Sequence, residues 1–183
     1  DEISFGTDGW RARSDLVTPE RLRAIAQSVV DLLAADGLDG DPLVIGYDAR
    51  DGARERAEEI AAVVAAGGHD VLLADRDCPT PAVALAIVQR DAAGGFVVTA
   101  SHNPPEYSGV KFIPHDGAPA LPAVTERIED GLREPDAVPD AEPGEIRDVD
   151  LIESQIGAVL DLVDPDLEDL TVAYDAIHGS GRG

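Results

Sequence analysis

The chain alternates short runs of consecutive apolar residues with longer stretches in which apolar residues recur every three or four positions. The first pattern marks buried strands and the second marks amphipathic helices. Runs over 43–47, 69–74, 95–99 and 110–113 predict four strands. Thr18, Pro19 and Glu20 open a helix with a cap, a proline in the first turn and an acid at the positive end of the dipole. Leu22, Ile25, Ala26, Val29, Val30 and Leu33 mark its buried face, and Gly37 ends it. Further helices are predicted over 54–66, 80–88, about 122–132 and 150–163. The stretch 135–145, rich in Pro, Asp and Glu, reads as a linker, and 170–174 as the first strand of a following unit. This order predicts a three-layer α/β/α sandwich on a mixed, mostly parallel four-stranded sheet. It divides the chain into a domain over 1–147 and the beginning of a second over 148–183, and no internal repeat is visible.

Composition narrows the function. An apolar content of 44% in 183 residues supports a folded core, in spite of a formal net charge of −23. That charge excludes nonspecific binding to nucleic acid and attachment to an anionic membrane, since both need a basic surface. It fits a salt-rich cytoplasm, where the Debye length falls to ~3 Å at about 1 M salt. No apolar run is long enough for a membrane helix, and the start carries no signal-peptide pattern, so a cytoplasmic location is expected. Cys78 is the sole cysteine, which rules out an internal disulfide and a cysteine metal cluster. His69, His102, His115 and His178 show no metal-ligand spacing.

The chemistry concentrates in Thr99-Ala100-Ser101-His102-Asn103-Pro104-Pro105 and the following Tyr107-Ser108-Gly109-Val110-Lys111. Ser101 falls just past the carboxyl end of a predicted strand, where open α/β sheets place their ligand crevices. The Asn-Pro-Pro sequence blocks a helix and predicts a turn that holds the Ser101 hydroxyl outward. Lys111 is the only lysine, and the other thirteen basic residues are arginines. Lysine can give up a proton where arginine cannot, so its place beside a candidate nucleophile points to proton transfer; the alternative is a chance survivor on a loop.

The Thr99 to Lys111 segment resembles the active-serine loop of the α-D-phosphohexomutases, the family of phosphoglucomutases, phosphomannomutases and phosphoglucosamine mutases. Phe5-Gly6-Thr7-Asp8-Gly9-Trp10-Arg11, Ile45-Gly46-Tyr47-Asp48-Ala49-Arg50 and the segment from Val172 to Arg182 are similar to three further stretches of that family, in the same order. The resemblance implies interconversion of hexose 1-phosphate and hexose 6-phosphate through a phosphoserine at Ser101 and a hexose 1,6-bisphosphate. It gives Lys111 the proton shuttle, and it makes Arg11 and His102 stabilisers of charge on the transferring group. It also implies Mg²⁺ on a phosphoryl oxygen at Ser101. The family's metal loop of alternating Asp residues is absent up to Gly183, as are its sugar-specificity and distal phosphate loops. The chain by itself is therefore expected to fold without mutase activity.

Ser108 stands where the family has Asn and Ala53 where it commonly has Ser; both positions are expected to be structural, a turn and a helix cap. Asp48 and Arg50 read as a structural pair near the sheet end, and Gly179-Ser180-Gly181 as framework of the second unit. Two other classes stay open. A noncatalytic sugar-phosphate-binding domain would keep the same loops. A serine hydrolase using Ser101 and His102 is opposed by the missing Gly-x-Ser-x-Gly elbow and by adjacent residues facing opposite ways on an extended chain.

Overall fold

The computed structural model describes residues 3–6, 9–135, 142–163 and 171–182. Six strands form one sheet: β1 (Gly9–Arg13), β2 (Leu43–Tyr47), β3 (Val71–Ala74), β4 (Gly94–Val98), β5 (Tyr107–Pro114) and β6 (Ile146–Val149). Their spatial order is β1-β5-β4-β2-β3-β6. The pairs β2–β4, β2–β3 and β3–β6 are parallel, and β1–β5 and β4–β5 are antiparallel. The sheet is thus mixed and mostly parallel as expected, but with six strands instead of four. The two additional strands lie at its edges, where one neighbour suffices and charged residues are tolerated.

Five helices cover the sheet: α1 (Pro19–Ala35), α2 (Ala53–Ala66), α3 (Thr80–Gln89), α4 (Pro122–Asp130) and α5 (Ile152–Leu162). The Thr18 hydroxyl accepts the Arg21 N–H at 3.5 Å, which caps α1 where its start is expected. Helix α2 packs on the sheet and on α1, which in turn carries α4; α3 covers β2 and β4 with α5 beside it. The interior is apolar, with Phe96 and Phe112 stacked at a tilt across β4 and β5, ring centroids 5.6 Å apart.

The approach of α3 fixes where the ligand crevice opens. On the sheet face beneath it stand Gly46 and Gly95. A Cβ on Gly46 would meet Val83 Cγ2 and, at 2.9 Å, Cys78 Sγ; one on Gly95 would meet Ile87 Cδ1 at 2.9 Å and the Val44 carbonyl. The connections leaving β2 and β3 run through α2 and α3, so the carboxyl ends of β2 and β4 flank a switch point with a crevice between them.

Several expectations need correction. Ser108 and Gly109 lie within β5 and form no turn; Ser108 faces Ala12 across the ladder, and among the described residues its buried hydroxyl has no hydrogen-bond partner. Ala53 is the first residue of α2, while Gly52, at φ 71°, takes the cap position without a side-chain bond. The boundary expected between 147 and 148 falls inside β6, whose backbone continues the sheet beside β3. Residues 171–174 were expected to start a strand, but they are exposed and in no ladder, because no neighbouring strand among the described residues meets their backbone; Leu170 lies outside the described residues. The expected linker lies partly outside them too, over 136–141. Its end is tied down, since Gly144 N–H donates to Ala65 O at 2.8 Å and Glu145 N–H to Asp70 Oδ1 at 2.8 Å.

The two kinds of glycine separate cleanly in a test. Gly95→Ala forces a methyl group into the α3 contact and is expected to lower stability by about 1–3 kcal/mol. Gly157→Ala, on α5 where nothing lies within 4 Å, is expected to raise it by about 0.5–1 kcal/mol. Urea midpoints at unchanged slope measure both.

Candidate active site

Thr99 and Ala100 continue from β4 to the crevice, and the chain then turns at Ser101 and His102. Both turn residues are exposed. Ser101 has φ 57°, in the left-handed region that costs a residue with a side chain about 1–2 kcal/mol. That cost is met by an extensive set of hydrogen bonds. Ser101 N–H donates to Thr99 Oγ1 at 2.9 Å, and the Thr99 hydroxyl donates to Asp48 Oδ2 at 2.7 Å. Asp48 also accepts from Arg50, at Oδ1 from the backbone N–H (3.1 Å) and at Oδ2 from Nε (3.0 Å). The Arg50 guanidinium reaches across to the serine loop. Nη1 donates to Pro104 O (2.7 Å) and Tyr107 O (3.2 Å), and Nη2 to Ser101 O (3.1 Å) and Asn103 O (2.6 Å).

Asp48 and Arg50 thus do more than their sequence context suggests. Their spacing at the end of β2 was visible; their partners, some fifty residues on, were not. His102 stands beside Ser101 in the turn, and among the described residues no hydrogen bond joins the two. The alternation expected of an extended chain does not apply to them, since this segment is a turn.

Arg11 and Lys111 come together through the sheet register. Arg11 is opposite Gly109 and Lys111 opposite Gly9, so both cations project from the same face as diagonal neighbours. The glycines make room for them: a Cβ on Gly9 would meet Lys111 Cγ at 2.8 Å, and one on Gly109 would meet Arg11 Cγ at 3.1 Å. Lys111 also pairs with Val97, which places it on the α3 face. A cavity of about 530 Å³ is lined by Asp48, Arg50, Thr80, Val97, Thr99 and Ser101, among others. Lys111 lines an adjoining apolar cavity of about 280 Å³, and Thr80 and Pro81 belong to the walls of both. Neither cavity's wall includes Arg11 or His102. Gly179 and Ser180 do line the first cavity, where the sequence suggested only framework. Arg182 holds that segment by donating to Asp77 Oδ1 at 2.8 Å.

The donor set does not make a magnesium site. Among the described residues no group of three His, Cys, Asp or Glu side chains is placed to hold a metal ion. Asp48, the carboxylate on the cavity wall nearest in the network to Ser101, is committed to Arg50 and Thr99. Nor, among these residues, is any helix long and apolar enough to cross a membrane.

Residues 2–138 match the family model described as phosphoglucomutase/phosphomannomutase, alpha/beta/alpha domain I. A phosphoglucosamine mutase of Synechococcus sp. (strain CC9902) is 42% identical over 130 residues, 70% of this chain and 27% of that protein. One from Clavibacter sepedonicus is 35% identical over 187 residues, 98% of this chain and 41% of that protein. The chain therefore spans well under half the length of these curated relatives. Among solved structures, a putative phosphomannomutase from Thermus thermophilus superposes with a TM-score of 0.81 at 32% identity, over 90% of this chain and 37% of that one. The Paramecium phosphoprotein pp63/parafusin, a phosphoglucomutase, shares the fold with a TM-score of 0.84 at 23% identity, over 98% of this chain and 40% of its own.

Cys78, on the cavity wall, supplies a pH test. Burial pushes its thiol from the ordinary 9.0 up to about 11, with Asp77 and Asp75 adding to the shift against a backbone hydrogen bond at Tyr47. The folded chain then keeps a proton that the unfolded chain loses, so the contribution of this thiol to stability is constant below about pH 9 and falls as pH rises towards 11. Urea titrations across that range are expected to show the fall, and Cys78→Ala is expected to flatten it.

Proposed function

The chain belongs to the phosphoglucomutase/phosphomannomutase family, whose α/β/α domain I it carries, and from that premise we propose that it supplies the phosphoserine half of a phosphohexomutase. The reaction is interconversion of hexose 1-phosphate and hexose 6-phosphate. The observation that carries the reading is Ser101, exposed on a left-handed turn at the carboxyl end of β4 and tied by its own backbone to Thr99 and Arg50. A serine hydroxyl is a weak nucleophile unaided, but as a phosphoserine it stores a phosphoryl group.

In the forward half-reaction the Ser101 Oγ–P bond breaks and a bond forms from phosphorus to the free hydroxyl oxygen of the hexose monophosphate. The proton of that hydroxyl passes to Lys111 and from it to the departing Ser101 Oγ, which leaves as a neutral hydroxyl. The bisphosphate turns round, its other phosphoryl group returns to Ser101 Oγ, and Lys111 carries the proton released by that hydroxyl to the sugar oxygen left behind. Atoms and charge balance over the cycle. Arg11 and His102 are assigned to charge stabilisation around the transferring group, which phosphoryl transfer needs more than covalent help. Mg²⁺ would supply further neutralisation at a phosphoryl oxygen of Ser101. Its remaining ligands would have to come from outside the described residues, and no step here depends on it. The family supports hexose phosphates as the substrate class, and relatives named phosphoglucosamine mutase favour an amino sugar phosphate as the second reading.

Incubating the complete gene product with glucose 1,6-bisphosphate and mapping its peptides is expected to place phosphate on Ser101, and Ser101→Ala is expected to take up none. Phosphate on another residue, or labelling of Ser101 by a fluorophosphonate, would sink the reading. Lys111→Arg keeps the charge but stays protonated. In steady-state assays on glucose, mannose and glucosamine phosphates it is expected to lower kcat by roughly 10²-fold, with a much smaller change in substrate binding.

A further inference from the structure

An arginine beside a serine that takes up phosphate invites assignment as a phosphate fork. Arg50 is placed for that task, on the wall of the same cavity as Ser101, but its hydrogen bonds leave no capacity for it. A guanidinium has five N–H donors in a fixed plane. Here one goes to Asp48, two to Pro104 O and Tyr107 O, and two to Ser101 O and Asn103 O. To receive a phosphate oxygen, Arg50 would have to abandon a loop carbonyl.

The same bonds define another role. The four carbonyls come from a seven-residue segment, 101–107, and converge on one cation from both arms of the turn. Ser101 is held at both of its backbone polar groups, and both routes end on Asp48. Its N–H leads there through Thr99, and its C=O through Arg50. Fixing those two groups fixes the peptide planes on either side of Ser101, and hence the direction of the Cα–Cβ bond that carries Oγ. Lysine could not replace Arg50, because three donors on one nitrogen cannot reach four carbonyls and a carboxylate in this spread.

We propose that Arg50 is a positioning residue: its guanidinium sets the Ser101 loop in the conformation that gives up and takes back a phosphoryl group, and it takes no part in gripping substrate phosphate. This rests on the mutase reading above. It adds that the Asp48-x-Arg50 pair acts through the loop backbone instead of through the ligand.

The test is transfer of phosphate from labelled glucose 1,6-bisphosphate to Ser101 in the complete gene product, by rapid quench. Arg50→Ala and Arg50→Lys are both expected to slow transfer about 10²-fold, the scale of a misplaced reacting group. Half-saturation by the bisphosphate should stay within about threefold of the parent, as expected when binding itself is intact. Amide hydrogen exchange at Ser101 and Asn103 should accelerate in both variants. Added guanidinium chloride, kept well below denaturing concentrations, should restore part of the rate to Arg50→Ala, whose vacated site it can enter, and none to Arg50→Lys. If Arg50→Ala does not fold, the rate, half-saturation and exchange of Arg50→Lys decide the matter. Half-saturation raised about tenfold or more at an unchanged maximal rate would make Arg50 a phosphate ligand and overturn the proposal. Parent-like transfer in a folded Arg50→Lys would also overturn it, leaving the mutase reading intact. A parent protein that takes up no phosphate on Ser101 would overturn both.

Discussion

Four carbonyl oxygens that point at one another need a cation among them. The loop after β4 turns so tightly that Ser101, Asn103, Pro104 and Tyr107 present such a set, and the Arg50 guanidinium fills it. Asp48 sets the guanidinium plane from behind. The arrangement depends on the sheet being in place first, since Asp48 N–H donates to Val98 O and Thr99 N–H to Gly109 O. The exposed serine and the return of the chain into β5 follow from that packing of a cation into the backbone, beside the crevice that α3 and the strand order open. It also explains why a non-glycine residue can hold a left-handed conformation at the tip, because the surrounding bonds leave no other.

The stability of the rest comes from the interior. Arg127–Asp36 and Arg133–Asp31 bind α4 and its trailing turn to α1, and Arg54 reaches Asp148 and Glu58. All of these side chains are a third or more exposed, and such pairs contribute little, less still in salt. A single fully buried Leu or Phe contributes about 1.5–3 kcal/mol. The core includes Leu22, Ile25, Leu43, Ile45, Ile60, Ile87, Phe96 and Phe112, all at most 1% exposed. In a chain of charge −23, the arginine pairs act chiefly by relieving repulsion between acids, and the apolar layers hold the fold.

The central strands and five helices were legible because burial on both faces, or on one helical face, writes a strong period into the sequence. β1 and β6 were not, for the same reason inverted. Arg11 and Arg13 in β1, and Arg147 and Asp148 in β6, are tolerated at sheet edges and read as loop. β5 begins three residues before the expected run because pairing with β1 extends its ladder back to Tyr107. At the site, Ser101, its turn and the lone lysine were visible as local chemistry. The Arg50 contacts were not, since nothing within five residues of it shows which carbonyls it meets. Nor did spacing reveal that Gly9 and Gly109 make room for the Lys111 and Arg11 side chains, which is a property of strand register.

The strand β6 has a consequence for reach. A floppy connection would let the segment from Val172 to Arg182 sample a large volume, and its encounters with Ser101 would follow chain statistics. Instead the chain leaves the sheet from a strand zipped to β3 and passes through α5, which rests against α3. The starting point and initial direction are therefore fixed, and the Arg182–Asp77 pair marks where the path returns. Gly179 and Ser180 line the serine cavity, so this part of its wall is assembled in folding, before any ligand arrives.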